Sequence, residues 1–143
     1  MEDKIRVIVK EVGKPAEIRE IKNDYQTIKS IIGDSIDFMQ VDCLNGVNVI
    51  VDDEMLLKVE LKANFAVPHN DNVVFGTCII CGNGDEDFSS LTDEQIKLIK
   101  EYINEFEIPD GIDMHEINQF ELAMDLIKEK QVEYDSKRYE EEM

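Results

Sequence analysis

Basic charge is what this sequence has least of. Across 143 residues, 15 lysines and arginines face 33 aspartates and glutamates, a formal net charge of −18. Nucleic-acid binding draws its affinity from Lys and Arg neutralising phosphates, and anionic membranes attract the same residues. Direct binding to either is therefore not expected. Long apolar runs are missing too, since none approaches the roughly 18–20 residues that span a bilayer. The opening Met1-Glu2-Asp3-Lys4-Ile5 lacks the apolar stretch of a signal peptide, so the expected location is the cytoplasm. Cysteine is scarce and odd in number: Cys43, Cys78 and Cys81. Without an export signal these read as reduced thiols. Cys78 and Cys81 have C-x-x-C spacing but lie in a strand-like run, where residues three apart point to opposite faces, and no second ligand pair accompanies them. They read as small core residues. Histidine occurs twice, as His69 and His115, and neither has a catalytic partner nearby in sequence.

What is present is enough for one domain with a real core. Ile5, Val7 and Val9 alternate as a half-buried strand does, and a turn at Val12-Gly13-Lys14-Pro15 leads to a returning strand, Glu17-Ile18-Arg19-Glu20-Ile21. Asn23 or Asp24 caps a short helix with apolar positions Tyr25, Ile28, Ile31 and Ile32, ended by Gly33 in a left-handed conformation. Residues 35–41 and 47–51 read as strands joined at the Asn45-Gly46 turn. Residues 55–67 are ambiguous, and residues 73–81 form the longest apolar run, expected as one central strand buried on both faces. Thr92 and Gln95 have capping-box spacing, with Leu91 and Ile96 as its staple, before a helix carrying Ile96, Ile99 and Ile103. A last helix is expected from Asp113, with Glu116 as box partner and Ile112 and Ile117 as staple, running past Lys130. The reading is an α+β fold: a mostly antiparallel sheet, two packed helices and a C-terminal helical extension. Residues 1–107 form the core domain, and residues 108–143 an acidic helix packed on it or on a partner.

Residues from 84 onward hold 19 acidic side chains against 6 basic, a net of −13, whereas residues 1–83 hold 14 against 9. In the last helix Ile117, Phe120, Met124 and Ile127 make a stripe expected to face the core. Glu121, Asp125, Glu129 and Glu133 form an i, i+4 row of like charge, which costs a helix a few tenths of a kcal/mol per pair. Leu122 and Leu126 project near this row, away from the stripe. Such a helix reads either as a solvated face or as a surface for a partner or a second copy of the chain. Carboxylates about 6 Å apart are spaced like the phosphates of one DNA strand, which motivates mimicry of DNA toward a basic protein. The acidic clusters Asp52-Asp53-Glu54 and Asp85-Glu86-Asp87 diverge in direction and lack the alternating ligands of a calcium loop, so they read as solvated turns and no metal or cofactor is expected. Gly82-Asn83-Gly84 is too short for a phosphate loop and reads as a strand end.

The order of motifs resembles a known family. Lys14-Pro15-Ala16-Glu17-Ile18-Arg19-Glu20-Ile21, Ile31-Ile32-Gly33, Asn64, Val73-Val74-Phe75-Gly76-Thr77 and Ser90-Leu91-Thr92-Asp93-Glu94 are similar to the domain-of-unknown-function family numbered 3846, over roughly residues 4–105. That family occurs in phages, plasmids and other bacterial mobile elements. The resemblance implies no activity, cofactor or catalytic residue. It implies a setting in which small acidic proteins act on host or competitor machinery, including defence systems.

The expectation is therefore a non-enzymatic binding protein, a counter-defence or regulatory factor, whose Glu121, Leu122, Asp125, Leu126, Glu129 and Glu133 engage a basic, nucleic-acid-binding protein. The alternative is a binder of a small nucleotide-like ligand around Asn64, Gly76 and Thr77. A metal-dependent enzyme built on the acidic clusters ranks third.

Overall fold

The computed structural model describes residues 4–54, 61–84 and 88–142, with side chains to residue 138. Alternation in the first segment yields β1 (Lys4–Lys10), which pairs antiparallel with β2 (Glu17–Lys22), Ile5 opposite Ile21. Asp24 then caps α1 (Tyr25–Ile32), accepting the Thr27 N–H at 2.7 Å, and Ile28 and Ile32 turn inward while Tyr25 stays exposed. Strands β3 (Ile36–Gln40), β4 (Val47–Asp52), β5 (Ala63–Val67), β6 (Asn72–Phe75), β7 (Cys78–Asn83) and β8 (Phe88–Ser89) follow, with a 3₁₀ turn at Pro68–Asn70. Two helices complete the chain, α2 (Asp93–Phe106) and α3 (Ile117–Glu142).

The main sheet runs β2-β1-β7-β4-β3, with β8 added against the end of β7, and every pairing is antiparallel. One face carries Ile5, Val7, Val9, Ile21, Ile50, Ile79 and Cys81, covered by Ile28 and Ile32 of α1. The other carries Ile8, Val49, Cys78 and Ile80, covered by the β5–β6 ribbon, by α2, and by Ala123 and Ile127 of α3. The fold is thus α+β. Cys78 and Cys81 are both buried, one in each cluster, so the C-x-x-C spacing brings no two thiols together.

The capping box of α2 forms in full: the Gln95 N–H donates to Thr92 Oγ1 at 3.1 Å, and Gln95 Oε1 accepts the Thr92 N–H at 2.9 Å. Ile96, Ile99 and Ile103 are buried beneath it, together with Tyr102 and Phe106.

Four local expectations need correction. The apolar run 73–81 is two strands in two different sheets, because Gly76 adopts a φ of 72°, open to glycine at no steric cost, and turns the chain between them. Only the second, β7, is the doubly buried centre. The β3–β4 link is longer than a two-residue hairpin, since Gln40 pairs with Asn48. Val41 and Leu44 are buried, so the loop is anchored by apolar side chains and not by the Asn45-Gly46 turn alone. Gly33 closes α1 at φ 143°, outside the left-handed helical well, with its N–H on the Lys29 carbonyl at 2.8 Å. Finally, α3 begins at Ile117 and not at Asp113. Asp113 is held in a bridge to Lys62, its Oδ1 accepts the His115 N–H at 3.0 Å, and residues 113–116 form a turn. The first helical bond runs from the Phe120 N–H to the Glu116 carbonyl.

Asn64 ties these layers together. It sits where the β5–β6 register shifts, between the pairs Ala63–Phe75 and Phe65–Val74. Wholly buried, it donates through Nδ2 to the carbonyls of Lys10 and Gly76, both at 2.8 Å, and its own carbonyl accepts the Ile108 N–H at 3.1 Å. Asn64→Ala leaves the Lys10 and Gly76 carbonyls without this donor, and urea unfolding should show a loss of roughly 2–4 kcal/mol. A loss below about 0.5 kcal/mol would remove Asn64 from this role.

Alkaline pH should also act through the core. Burial raises the Cys78 thiol from its ordinary 9.0 to about 12. Between those values the unfolded chain has lost the proton and the folded chain keeps it, so stability is full below about pH 9 and falls toward pH 12. Cys78→Ala should flatten that limb of a stability-against-pH curve, and an unchanged slope would assign it to other groups.

Candidate interaction surface on the C-terminal helix

The inner side of α3 rests on aromatic rings. Ala123 and Ile127 are buried, and Tyr134 lies 5.3 Å from Phe106 and 5.4 Å from Tyr102, centroid to centroid. His69 joins the same group, 5.5 Å from the Tyr134 ring. Its Nδ1 is 2.9 Å from the Tyr102 hydroxyl and its Nε2 is 2.8 Å from Asp135 Oδ1. Tyr102 in turn interacts electrostatically with Cys43. The result is a line of polar groups, Asp135, His69, Tyr102 and Cys43, threaded through an apolar contact.

This line resembles catalytic machinery in its residue types and not in its electrostatics. Burial raises the Cys43 thiol above its usual range, so it stays protonated and a poor nucleophile. Burial likewise raises Tyr102 and Tyr134. Both nitrogens of His69 are engaged, one by Tyr102 and the other by Asp135. The geometry suits a clasp: two hydrogen bonds from one imidazole join the 3₁₀ turn, α2 and α3.

The outer side of α3 is the surface anticipated from sequence. Glu121, Leu122, Asp125, Leu126, Glu129 and Glu133 are all exposed, Leu122 at 71 %, and Val132 adds a further exposed apolar side chain at 67 %. On the inner stripe, Ile127 is buried and Met124 half-buried, but Ile117 and Phe120 are exposed. The helix begins at the margin of the core, so its first turn is only partly covered.

The other predicted positions are distributed differently. Asn64 is wholly buried with its amide engaged, while Gly76 and Thr77 are half-buried beside it. Asp52, Asp53 and Glu54 form a turn in which Asp52 Oδ1 accepts the Glu54 N–H at 2.9 Å. Asp85-Glu86-Asp87 lies outside the described residues. Among the described residues no group of three or more His, Cys, Asp or Glu side chains is arranged to hold a metal ion. No helix among them is long and apolar enough to cross a membrane. A cleft of about 620 Å³ was not anticipated. It lies between the β1–β2 turn and α2, lined by Lys10, Lys14, Pro15, Lys100, Asn104 and Glu107 among others. At its base the Lys10 ammonium, 1 % exposed, meets Glu107 at 2.7 Å.

The His69 clasp had no signal in the sequence. Its partners lie 33 and 66 residues away, a separation that no local spacing reports.

The sequence model of the domain of unknown function DUF3846 matches residues 5–107. The chain belongs to the DUF3846 family. No curated protein and no solved structure matches it. The match ends before α3 begins, so His69, Tyr102 and Phe106 belong to the DUF3846 domain and Asp135 and Tyr134 to the helix beyond it.

His69→Ala therefore removes a link between the DUF3846 domain and its added helix. Amide exchange over residues 123–138 should accelerate, with a global loss of about 1–3 kcal/mol. Unchanged exchange in α3 would mean that ring packing alone docks the helix.

Proposed function

We propose that this chain is a non-enzymatic binding protein whose helix α3 presents an acidic, leucine-bearing face to a basic, nucleic-acid-binding protein. The observation that carries this reading is the division of the helix. Ala123, Ile127 and Tyr134 hold one side to the domain, while Glu121, Leu122, Asp125, Leu126, Glu129 and Glu133 remain exposed on the other. Like charges in an i, i+4 row work against the helix, so their local cost is offset by packing on the inner side. A basic protein meeting this face gains charge complementarity along the row, and Leu122 and Leu126 supply apolar area to bury. The net charge of −18 accelerates encounter with such a partner and repels nucleic acid itself. Family membership agrees with a counter-defence or regulatory role on a mobile element, as a matter of setting and not of chemistry.

A second reading has its own observation. The cleft of about 620 Å³ gathers Lys10, Lys14 and Lys100 in a chain poor in basic residues, and it has the volume of a small-molecule site. Asn64 is tied to it through the Lys10 carbonyl, and the same amide donates to the Gly76 carbonyl. A nucleotide-like ligand at 100 times its dissociation constant would stabilise the fold by about 2.7 kcal/mol, which a thermal-shift screen detects.

The test of the first reading is capture from a nuclease-treated bacterial lysate at low and high salt. The expected result is a basic protein retained at low salt and released at high salt, with retention lost when Glu121, Asp125, Glu129 and Glu133 are all changed to Gln. Equal capture by the Gln variant would dispose of the acidic face as the contact.

A further inference from the structure

Strand β6 is bonded to β5 along one edge, and among the described residues no strand pairs with its other edge. That edge lies between two cavities. The first, about 290 Å³ and open to solvent, is lined by Val73 and Phe75 with Phe120, Met124 and Ile127 of α3. The second, about 160 Å³, lies between the same two residues and Met39 and Val51 of the main sheet. A space of roughly 150 Å³ accepts a benzene-sized group. Successive side chains of a strand point to opposite faces, so a strand laid beside β6 directs alternate residues into the two cavities. Backbone bonds along an edge with side-chain pockets to either side is the arrangement by which an added strand is recognised. Charge selects the occupant further. Asp71 stands at the first cavity, opposed by Lys128, and Asp52 and Asp53 stand at the second.

We propose that β6 is a docking edge for an extended segment of a partner protein. That segment carries a short apolar centre flanked by lysine or arginine and adds as a third strand to the β5–β6 ribbon. This surface is separate from the outer face of α3, and the inference does not rest on the reading of that face.

The probe is a synthetic peptide of about eight residues, with four apolar residues between paired lysines, titrated into the full chain in about 0.15 M salt. Two further peptides carry N-methyl groups on alternate amides, one on the odd and one on the even positions. In an added strand only every second amide faces β6. One methylated peptide should therefore bind as the parent does, and the other should lose about tenfold or more in affinity. Amide exchange at residues 72–75 should slow on binding. Replacing Glu121, Asp125, Glu129 and Glu133 with Gln should change the affinity of the parent peptide less than about threefold. If both methylated peptides bind alike, attraction is electrostatic and the docking edge is wrong. If the parent peptide does not bind at about 1 mM, the proposal is overturned as well.

Discussion

The amide of Asn64 is the constraint on which the two layers depend. Between the main sheet and the β5–β6 ribbon the contact is apolar, and apolar contact alone does not fix register or direction. One buried side chain supplies that direction by holding the end of β1 at Lys10 and the corner before β7 at Gly76. Its own backbone carbonyl receives Ile108, which leads the chain from α2 toward α3. The bulge in β5 makes this possible, because a residue in regular register would send its side chain along the ladder's alternation. Asn64 Oδ1 has no partner among the described residues, a cost of the same order as the gain from the two bonds its amide donates.

The position of Lys10 follows from the same anchor. Its backbone is held by Asn64, and its ammonium reaches Glu107 at 2.7 Å and the Glu11 carbonyl at 2.9 Å while the side chain is nearly all buried. A buried charge is tolerable only when paired and hydrogen-bonded, and both conditions hold. The ion pair links the end of β1 to the end of α2, and that junction forms the base of the 620 Å³ cleft. Helix α2 in turn presents Tyr102 and Phe106 to α3, so the docking of the acidic helix is set at one remove by the sheet beneath.

Helix α3 combines two demands that conflict locally. Its charge pattern disfavours the helix, and its first turn, with Ile117 and Phe120 exposed, gains little from the core. Packing begins at Ala123 and is reinforced farther along by Tyr134 and by Asp135 on His69. The strongest attachment therefore lies in the middle of the helix, and the acidic row runs along the side that packing leaves free. A docking edge at β6 would share the inner residues Phe120, Met124 and Ile127 as one wall of its cavity.

By itself the sequence determined the features that depend on neighbours a few residues apart. The β1–β2 hairpin came from alternation, the capping box of α2 from Thr92 and Gln95, and the opposite burial of Cys78 and Cys81 from the two-residue period of a strand. The exposure of the acidic row on α3 was legible for the same reason, since helical spacing sets faces without knowledge of the fold. Tertiary structure decided what depends on distant partners. The apolar run 73–81 carries no mark of the two sheets it joins, because Gly76 permits a turn without requiring one. Asp113 has the chemistry of a helix cap and is diverted by its bridge to Lys62. His69 looks solitary until the chain brings Tyr102 and Asp135 to its two nitrogens. Local sequence fixes periodicity and caps through short-range sterics and hydrogen bonds, whereas a buried polar group finds its partner only when the whole core has closed around it.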